Sequence, residues 1–494
     1  MHRILLLTVA LALALAAPAA AESPEKAMQG YAADTWKSFV AMTDEGTGLP
    51  SDNVSAEGTR AEYTSPTNIG AYMWSTIGAR DTGIISRREA RRRLRQTLTT
   101  LDRMEFHEKS GQYFNWYSPK TGAKLTVWPV DGSTVYPFLS SVDNGWLAAA
   151  LMMVERAAPA VAPEARRLHE RMRFDFYYDP QVGQLRGGAW DDPPTQCNVP
   201  KEGDYFTCHH YGSLNTEPRI ASYIGIARKQ LPPEHYFKLF RTFPSTCDWS
   251  WQEQRPAGVT RTYEGVDVYE GHYSYRGMNL VPSWGGSMFE ALMVPLLVPE
   301  EQWGKRSWGI NHPLHVQAQI EHGMEEARYG VWGFSPSNNP DGGYREYGVD
   351  AIGLEPNGYS SNQERTLVDY GFGDCPGRPA KPDPPQSAYT NGVVTPHASF
   401  IALDFDRKAA LENLARLRQR YDIYGEGGFY DAVNVQSGRV SRYHLSLDQG
   451  MIMAALVNEL TGDRLQRYFS DGKVEARVRP LLAQEQFTAG RAGR

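Results

Sequence analysis

The stretch Ser86-Arg-Arg-Glu-Ala-Arg-Arg-Arg-Leu-Arg-Gln-Thr-Leu-Thr-Thr-Leu-Asp-Arg-Met104 decides the fold class of this chain. Ser86 followed three residues later by Glu89 is a capping box, with Ser86 as N-cap and Glu89 reaching back. Behind it Ala90, Leu94, Leu98, Leu101 and Met104 recur at helical spacing and mark one buried stripe. The same period returns along the chain. Leu147, Leu151 and Val154 form a second stripe, and Thr216-Glu-Pro-Arg219 opens a third helix, continued by Ile220, Ile224, Ala227 and Leu231. Pro313 opens a fourth with Val316, Ile320 and Met324, stopped by Gly330. Leu411, Leu414, Leu417 and Tyr421 mark a fifth, and Met451, Ala455 and Leu460, followed by Gly462, a sixth. The fold class read from this pattern is all-α.

Between the helices run connections rich in Gly, Trp, Tyr and Asp: Tyr113 to Tyr117, Trp249 to Trp251, Tyr269 to Arg276, Trp332 to Tyr347 and Gly425 to Tyr430. Loops carry function, and aromatic faces in a wet cleft stack on sugar rings. Ser283-Trp-Gly-Gly-Ser-Met-Phe-Glu-Ala-Leu-Met293 places one acid, Glu290, against Trp284 and Phe289. Poor solvation there raises a carboxyl's pKa and suits it to protonate a glycosidic oxygen near neutral pH. The segment from about 355 to 386 has no helical period and reads as a long inserted loop.

The first 21 residues read as a secretory signal: His2 and Arg3, an apolar run from Ile4 to Ala16, and an A-x-A cleavage site at Ala19-Ala20-Ala21. No other stretch approaches the roughly 18 apolar residues of a membrane span, so a single exported domain over 22–494 is expected. The net charge of -6 and pI near 6.1 argue against nucleic acid or an anionic membrane as partner and suit an uncharged substrate. Cys197 is expected to pair with Cys208 and Cys247 with Cys375, as an oxidising compartment allows. No C-x-x-C arrangement occurs, and no metal or cofactor is expected.

Several of these stretches resemble the glucoamylase-like proteins, which include bacterial endo-β-1,2-glucanases and the glucoamylase-like domain of cyclic β-1,2-glucan synthases. Asn68 to Ser75 and Leu139 to Ala148 look like the family's opening, and Ser213 to Ser222 is similar to its Ser-Glu-Ala-Arg-Leu-Ala-Ser helix start. Ser283 to Pro295 resembles its Ser-Met-Phe-Glu-Tyr-Leu-Met-Pro run. Trp332 to Ser335 with Gly343-Tyr344, Gly392 to Ala398, Gly428 to Ala432 and Leu447 to Gly450 follow in family order. The resemblance spans residues 65 to 470. It implies an (α/α)6 toroid and glycoside hydrolase or transglycosylase chemistry on a β-glucan.

Cleaving a glycoside needs a proton donor and a second carboxylate. The expected donor is Glu290, which occupies the family's Phe-Glu position. Asp143, at a helix start where the dipole keeps it ionised, is expected to hold sugar hydroxyls or stabilise oxocarbenium charge, or else simply to cap. Glu217 and Arg219 are expected at the substrate, as an ion pair orienting the donor, or as a structural salt bridge. Asp448 and Gln449 open the last helix and either cap it or bind sugar. Trp284, Trp332 and Tyr344 are candidate stacking platforms. Where family members tend to carry an acid just before the Gly392-Val-Val segment, this chain has Asn391, so either another carboxylate replaces it, with Glu346, Glu364 and Asp369 nearest in sequence, or a different glycan is cleaved. The expected partner is an oligo- or polysaccharide and the expected state a monomer. A polysaccharide lyase, which wants Arg/Lys-lined clefts and a Tyr or His base, and a non-catalytic glycan-binding protein are the competing readings.

Overall fold

The structure is a computed structural model that describes residues 23–247, 252–354, 375–377, 379 and 381–491. The expected signal peptide, Trp249, Trp251, Glu364, Asp369 and most of the expected insertion lie outside the described residues.

The helices are α1 (Pro24–Met42), α2 (Pro66–Asp81), α3 (Arg87–Arg103), α4 (Ser141–Ala157), α5 (Ala162–Glu170), α6 (Arg219–Ala227) and α7 (Met288–Leu292). They continue as α8 (Glu300–Trp303), α9 (Trp308–Glu321), α10 (Pro396–Ile401), α11 (Leu403–Arg420), α12 (Ser446–Thr461), α13 (Arg464–Ser470) and α14 (Lys473–Gln484). The capping box closes in one direction only. The Ser86 hydroxyl accepts from the Glu89 amide at 3.1 Å, while the Glu89 carboxylate turns to Arg92 and Arg93. Ala90, Leu94, Leu98 and Leu101 are buried as the stripe requires.

α2 packs on α4 and on α12, α4 on α6, α7 on α10, and α10 on α12. α6 and α7 are joined through Arg219, whose guanidinium donates to the Glu290 and Ala291 carbonyls. α1, α3, α5, α9, α11, α13 and α14 pack outside this ring. The inner helices α2, α4 and α12 are buried over most of their length, as enclosed helices must be. The result is an α/α-toroid type fold.

The limits of α9 and α6 differ from the sequence reading. α9 begins at Trp308 rather than Pro313, because Trp308 is fully buried and anchors the turn before the proline. α6 ends at Ala227, so Leu231 lies beyond it. The chain reverses there, the Leu231 amide donating to the Gly225 carbonyl at 3.1 Å. A β-carbon on Gly225 would come within 2.5 Å of Leu231, so a glycine is needed for that return.

Short strands deliver the loops to the N-terminal ends of the inner helices. Asn53–Ser55 pairs antiparallel with Tyr443–Leu445, which runs straight into α12. Phe138–Ser140 pairs with Gly188–Trp190 and runs into α4, where the Ser140 hydroxyl caps the Asp143 amide. Val393–Val394 pairs with Ala432–Asn434 just before α10. Both expected disulfides are formed, Cys197–Cys208 and Cys247–Cys375. Thiol titration of the denatured, unreduced protein should therefore find no free thiol, and two or more would refute at least one bridge.

Candidate active site

A cleft of about 1200 Å³ opens where α2, α4, α6 and α12 begin. Ser65, Thr67 and Asn68 line it from α2, Asp143 from α4, Glu217 from the turn before α6, and Leu445 and Leu447 from the start of α12. Helix N-termini carry partial positive charge, so carboxylates collect at this end of a toroid.

Glu217 stands on the cleft wall. Its Oε2 accepts from the Trp146 indole N–H at 2.6 Å, and its amide donates to Glu290 Oε2 at 3.0 Å. Burial, then the charge of Glu290 and further off that of Asp143, push the Glu217 carboxyl well above the usual carboxylate range. The indole bond and Arg219 pull the other way and do not overcome this.

Glu290, expected at the cleft, stands behind Glu217. It is 5% exposed and does not line the cleft. Its Oε2 accepts from the Thr216 hydroxyl at 2.5 Å as well as from the Glu217 amide. Arg219 is 1% exposed and does not reach the cleft. Because α6 begins at Arg219, the side chain turns into the wall between helices. There it makes a two-pronged pair with Glu300 at 2.8 and 2.9 Å and bonds the Thr216 carbonyl. The sequence reading of Arg219 as substrate-binding is corrected; its salt bridge is structural, with Glu300 instead of Glu217.

Asp143 lines the cleft as expected. Its carboxylate accepts from the Thr67 hydroxyl at 2.6 Å and from the Asn115 amide group at 3.0 Å. Beside it lies Asp52, which the sequence reading missed. Asp52 accepts from Asn68 at 2.8 Å and Asn53 at 3.0 Å. Burial, and to a lesser degree the Asp143 charge, raises its pKa against the pull of these two bonds.

Asp448 and Gln449 open α12 but are buried, at 3% and 1% exposure. Gln449 bonds Ser38 and the Phe429 carbonyl, which corrects its expected role at the sugar. Asp448 faces Asp431, another residue given no role in the sequence reading. Burial lifts Asp448 to about 7, and burial with the Asp448 charge lifts Asp431 well above the usual range. Asp431 also accepts from the Asn338 amide at 2.6 Å. His397, kept neutral by burial with its pKa near 4, lies 3.3 Å from Asp448. Among the described residues, His397, Asp431 and Asp448 are the group close enough to hold a metal ion. Both His397 ring nitrogens already have hydroxyl partners, in Thr395 and Ser335 at 2.8 Å each.

Of the expected platforms, Tyr344 lines the cleft at 47% exposure, on a hairpin that pairs Ser337–Asn338 with Tyr344–Arg345. Trp332 does not. It is 1% exposed, its backbone is clamped by Asn413 at 3.2 and 2.7 Å, and it belongs to the core. Trp284 is half-buried and packs against Phe243, Tyr273 and Leu354 instead of lining the cleft. Glu346 is exposed and also absent from the cleft wall, as is half-buried Asn391.

Fold and site together define an α/α-toroid protein with an acid-floored cleft at the N-terminal ends of its inner helices. Comparison with known proteins narrows this. Residues 256–472 match the Glycoamylase family, and residues 30–205 match a family of proteins of unknown function, DUF3131. The chain is 27% identical to the cyclic β-(1,2)-glucan synthase of Rhizobium meliloti (strain 1021), over an alignment covering 93% of this chain but 18% of that protein. The chain thus spans about a fifth of the length of the curated relative it matches. Among solved structures it is similar to an endo-β-1,2-glucanase from Chitinophaga pinensis, bound to sophorotriose and glucose (TM-score 0.63, 16% identity, covering 93% of this chain and 98% of that one). It is also similar to a β-1,2-glucanase from Parabacteroides distasonis (TM-score 0.67, 13% identity, covering 94% and 60%). At these identities the structural likeness speaks for the fold. The similarity to glucoamylase-like proteins read from the motifs is shown by these matches.

Proposed function

We propose that the protein is an exported glycoside hydrolase acting on β-linked glucan of the β-1,2 type, with Glu217 as the proton donor. The observation that carries this reading is the Glu217 carboxyl itself, on the cleft wall with its pKa raised by burial and by Glu290. A raised carboxyl pKa is what a general acid needs near neutral pH. Glu290, which accepts from the Thr216 hydroxyl and the Glu217 amide, stands behind Glu217 and contributes to that shift. Asp143, whose carboxylate accepts from Thr67 and Asn115, faces the same space and is placed to stabilise an oxocarbenium-like transition state. Asp52 adjoins it. The acidic floor disfavours a uronate, which would repel it, and so weighs against the lyase reading. The glucan type is taken from the named activities of the similar proteins. The ring α2, α4, α6, α7, α10 and α12 is read as the inner layer of an (α/α)6 barrel. Two disulfides suit an oxidising compartment, and no described helix is long and apolar enough to cross a membrane.

The test is release of reducing ends from linear β-1,2-glucan, with the product anomers followed by NMR. Glu290→Gln adds a second check. Removing the charge behind Glu217 lowers the pKa of its carboxyl. The basic limb of the kcat/KM profile, where the donor loses its proton, should then move to lower pH. An unmoved limb would mean that Glu290 does not tune the donor.

A further inference from the structure

Large buried aromatics such as Trp74, Trp146, Trp308 and Trp332 are at or below 2% exposure and belong to the continuous core. Tyr63, Trp116 and Trp128 do not. They are half-buried, lie outside that core, and line the cleft. Tyr63 comes from the connection before α2, Trp116 and Trp128 from the one before α4, and they pack on one another, with ring centroids 4.4 Å apart for Tyr63–Trp128, 5.5 Å for Tyr63–Trp116 and 5.6 Å for Trp116–Trp128. Val127 and Val130 beside them are 55% and 74% exposed. An apolar patch of this kind, unneeded by the core, marks a binding surface.

Its position says what it binds. Trp116 directly follows Asn115, which donates to Asp143, and the Tyr63 carbonyl accepts from the Asp52 amide. The aromatic cluster therefore adjoins the acids within the same cleft. Nearby Glu57, Arg60 and Glu62 carry mixed charge, which offers nothing to a polyanion. A pyranose ring presents a face of C–H groups that stacks on aromatic rings while its hydroxyls stay wet.

We propose that Tyr63, Trp116 and Trp128 form a stacking subsite for uncharged glucosyl units beyond the reacting bond, so that the protein discriminates by chain length. The inference rests on the glucan reading above. Tyr344, Asn338 and Asn339 line the cleft as well, adding a phenol and two amides to its surface.

The test uses the full chain carrying Glu217→Gln, which stops turnover, and linear β-1,2-gluco-oligosaccharides of increasing length. Calorimetry and tryptophan fluorescence read the binding. Affinity should step up once the oligosaccharide is long enough to reach the aromatic wall, with a change in indole emission. Adding Trp128→Ala or Trp116→Ala should weaken the long oligosaccharides by about tenfold, the loss of one aromatic stacking contact, and leave the shortest binder unchanged. Trp128→Phe should restore most of the loss, which separates stacking from a folding defect. Long and short oligosaccharides weakened alike, or neither weakened, would overturn the subsite while leaving the glucan reading intact. No binding of any oligosaccharide to the Glu217→Gln protein would remove both.

Discussion

Glu217→Gln should retain the fold and lower kcat by on the order of a hundredfold or more, the contribution of a positioned proton donor. The amide keeps the shape and the Trp146 contact but has no proton to give. The same substitution tests the linkage between ionisation and stability. A carboxyl whose pKa is raised on folding contributes stability fully present below the unfolded value, and loses it as pH rises through the folded value. Native Glu217 is such a group, so at neutral pH and above Glu217→Gln should be as stable as the parent or more so. Equilibrium unfolding in urea at two pH values measures this alongside the rate. A variant that keeps most of its turnover would take Glu217 out of the mechanism.

Arg219→Met should produce the largest loss of stability. Arg219 and Glu300 are both fully buried, and Tyr223 at 2.6 Å and His312 at 3.0 Å complete the carboxylate's shell. Burial alone would raise the Glu300 pKa; Arg219 first and His312 second hold it down at about 2. Removing the cation leaves a buried, poorly compensated charge, at a cost of about 3–5 kcal/mol. The guanidinium also holds the Thr216, Glu290 and Ala291 carbonyls, so the wall carrying Glu217 loosens and kcat falls with stability. Arg219→Met with Glu300→Gln should recover part of the stability, because the stranded charge is gone. A loss below about 1 kcal/mol for Arg219→Met would show that the pair does not hold this wall.

The helices were legible because their signal is local. The 86–104 stripe buries the residues its spacing names, and Gly462 ends α12 in the left-handed conformation at φ 62. The cleft was harder to read because it is assembled across the chain. Asp52 reaches the start of α12 only through the pairing of Asn53 with Leu445, and no local pattern announces that pairing. Glu217 was seen, but the sequence does not say which of Glu217 and Arg219 faces the cleft. That depends on where α6 starts, and it starts late enough to turn Arg219 inward. Glu290 was read as a carboxyl among apolar neighbours, and that local pattern is shared by a carboxylate buried behind a site and by one lining it. The aromatic loops carried the same ambiguity: Trp332 fills the core, while Trp116 lines the cleft.

The central claim is that this chain hydrolyses β-linked glucan by means of Glu217. Its most direct test is an assay of purified protein against linear β-1,2-, β-1,3-, β-1,4- and β-1,6-glucans, with Glu217→Gln run in parallel. The account predicts new reducing ends from the β-1,2-glucan above all, and a loss of at least about a hundredfold in the variant. No product from any of the glucans, or equal product from both proteins, would contradict it.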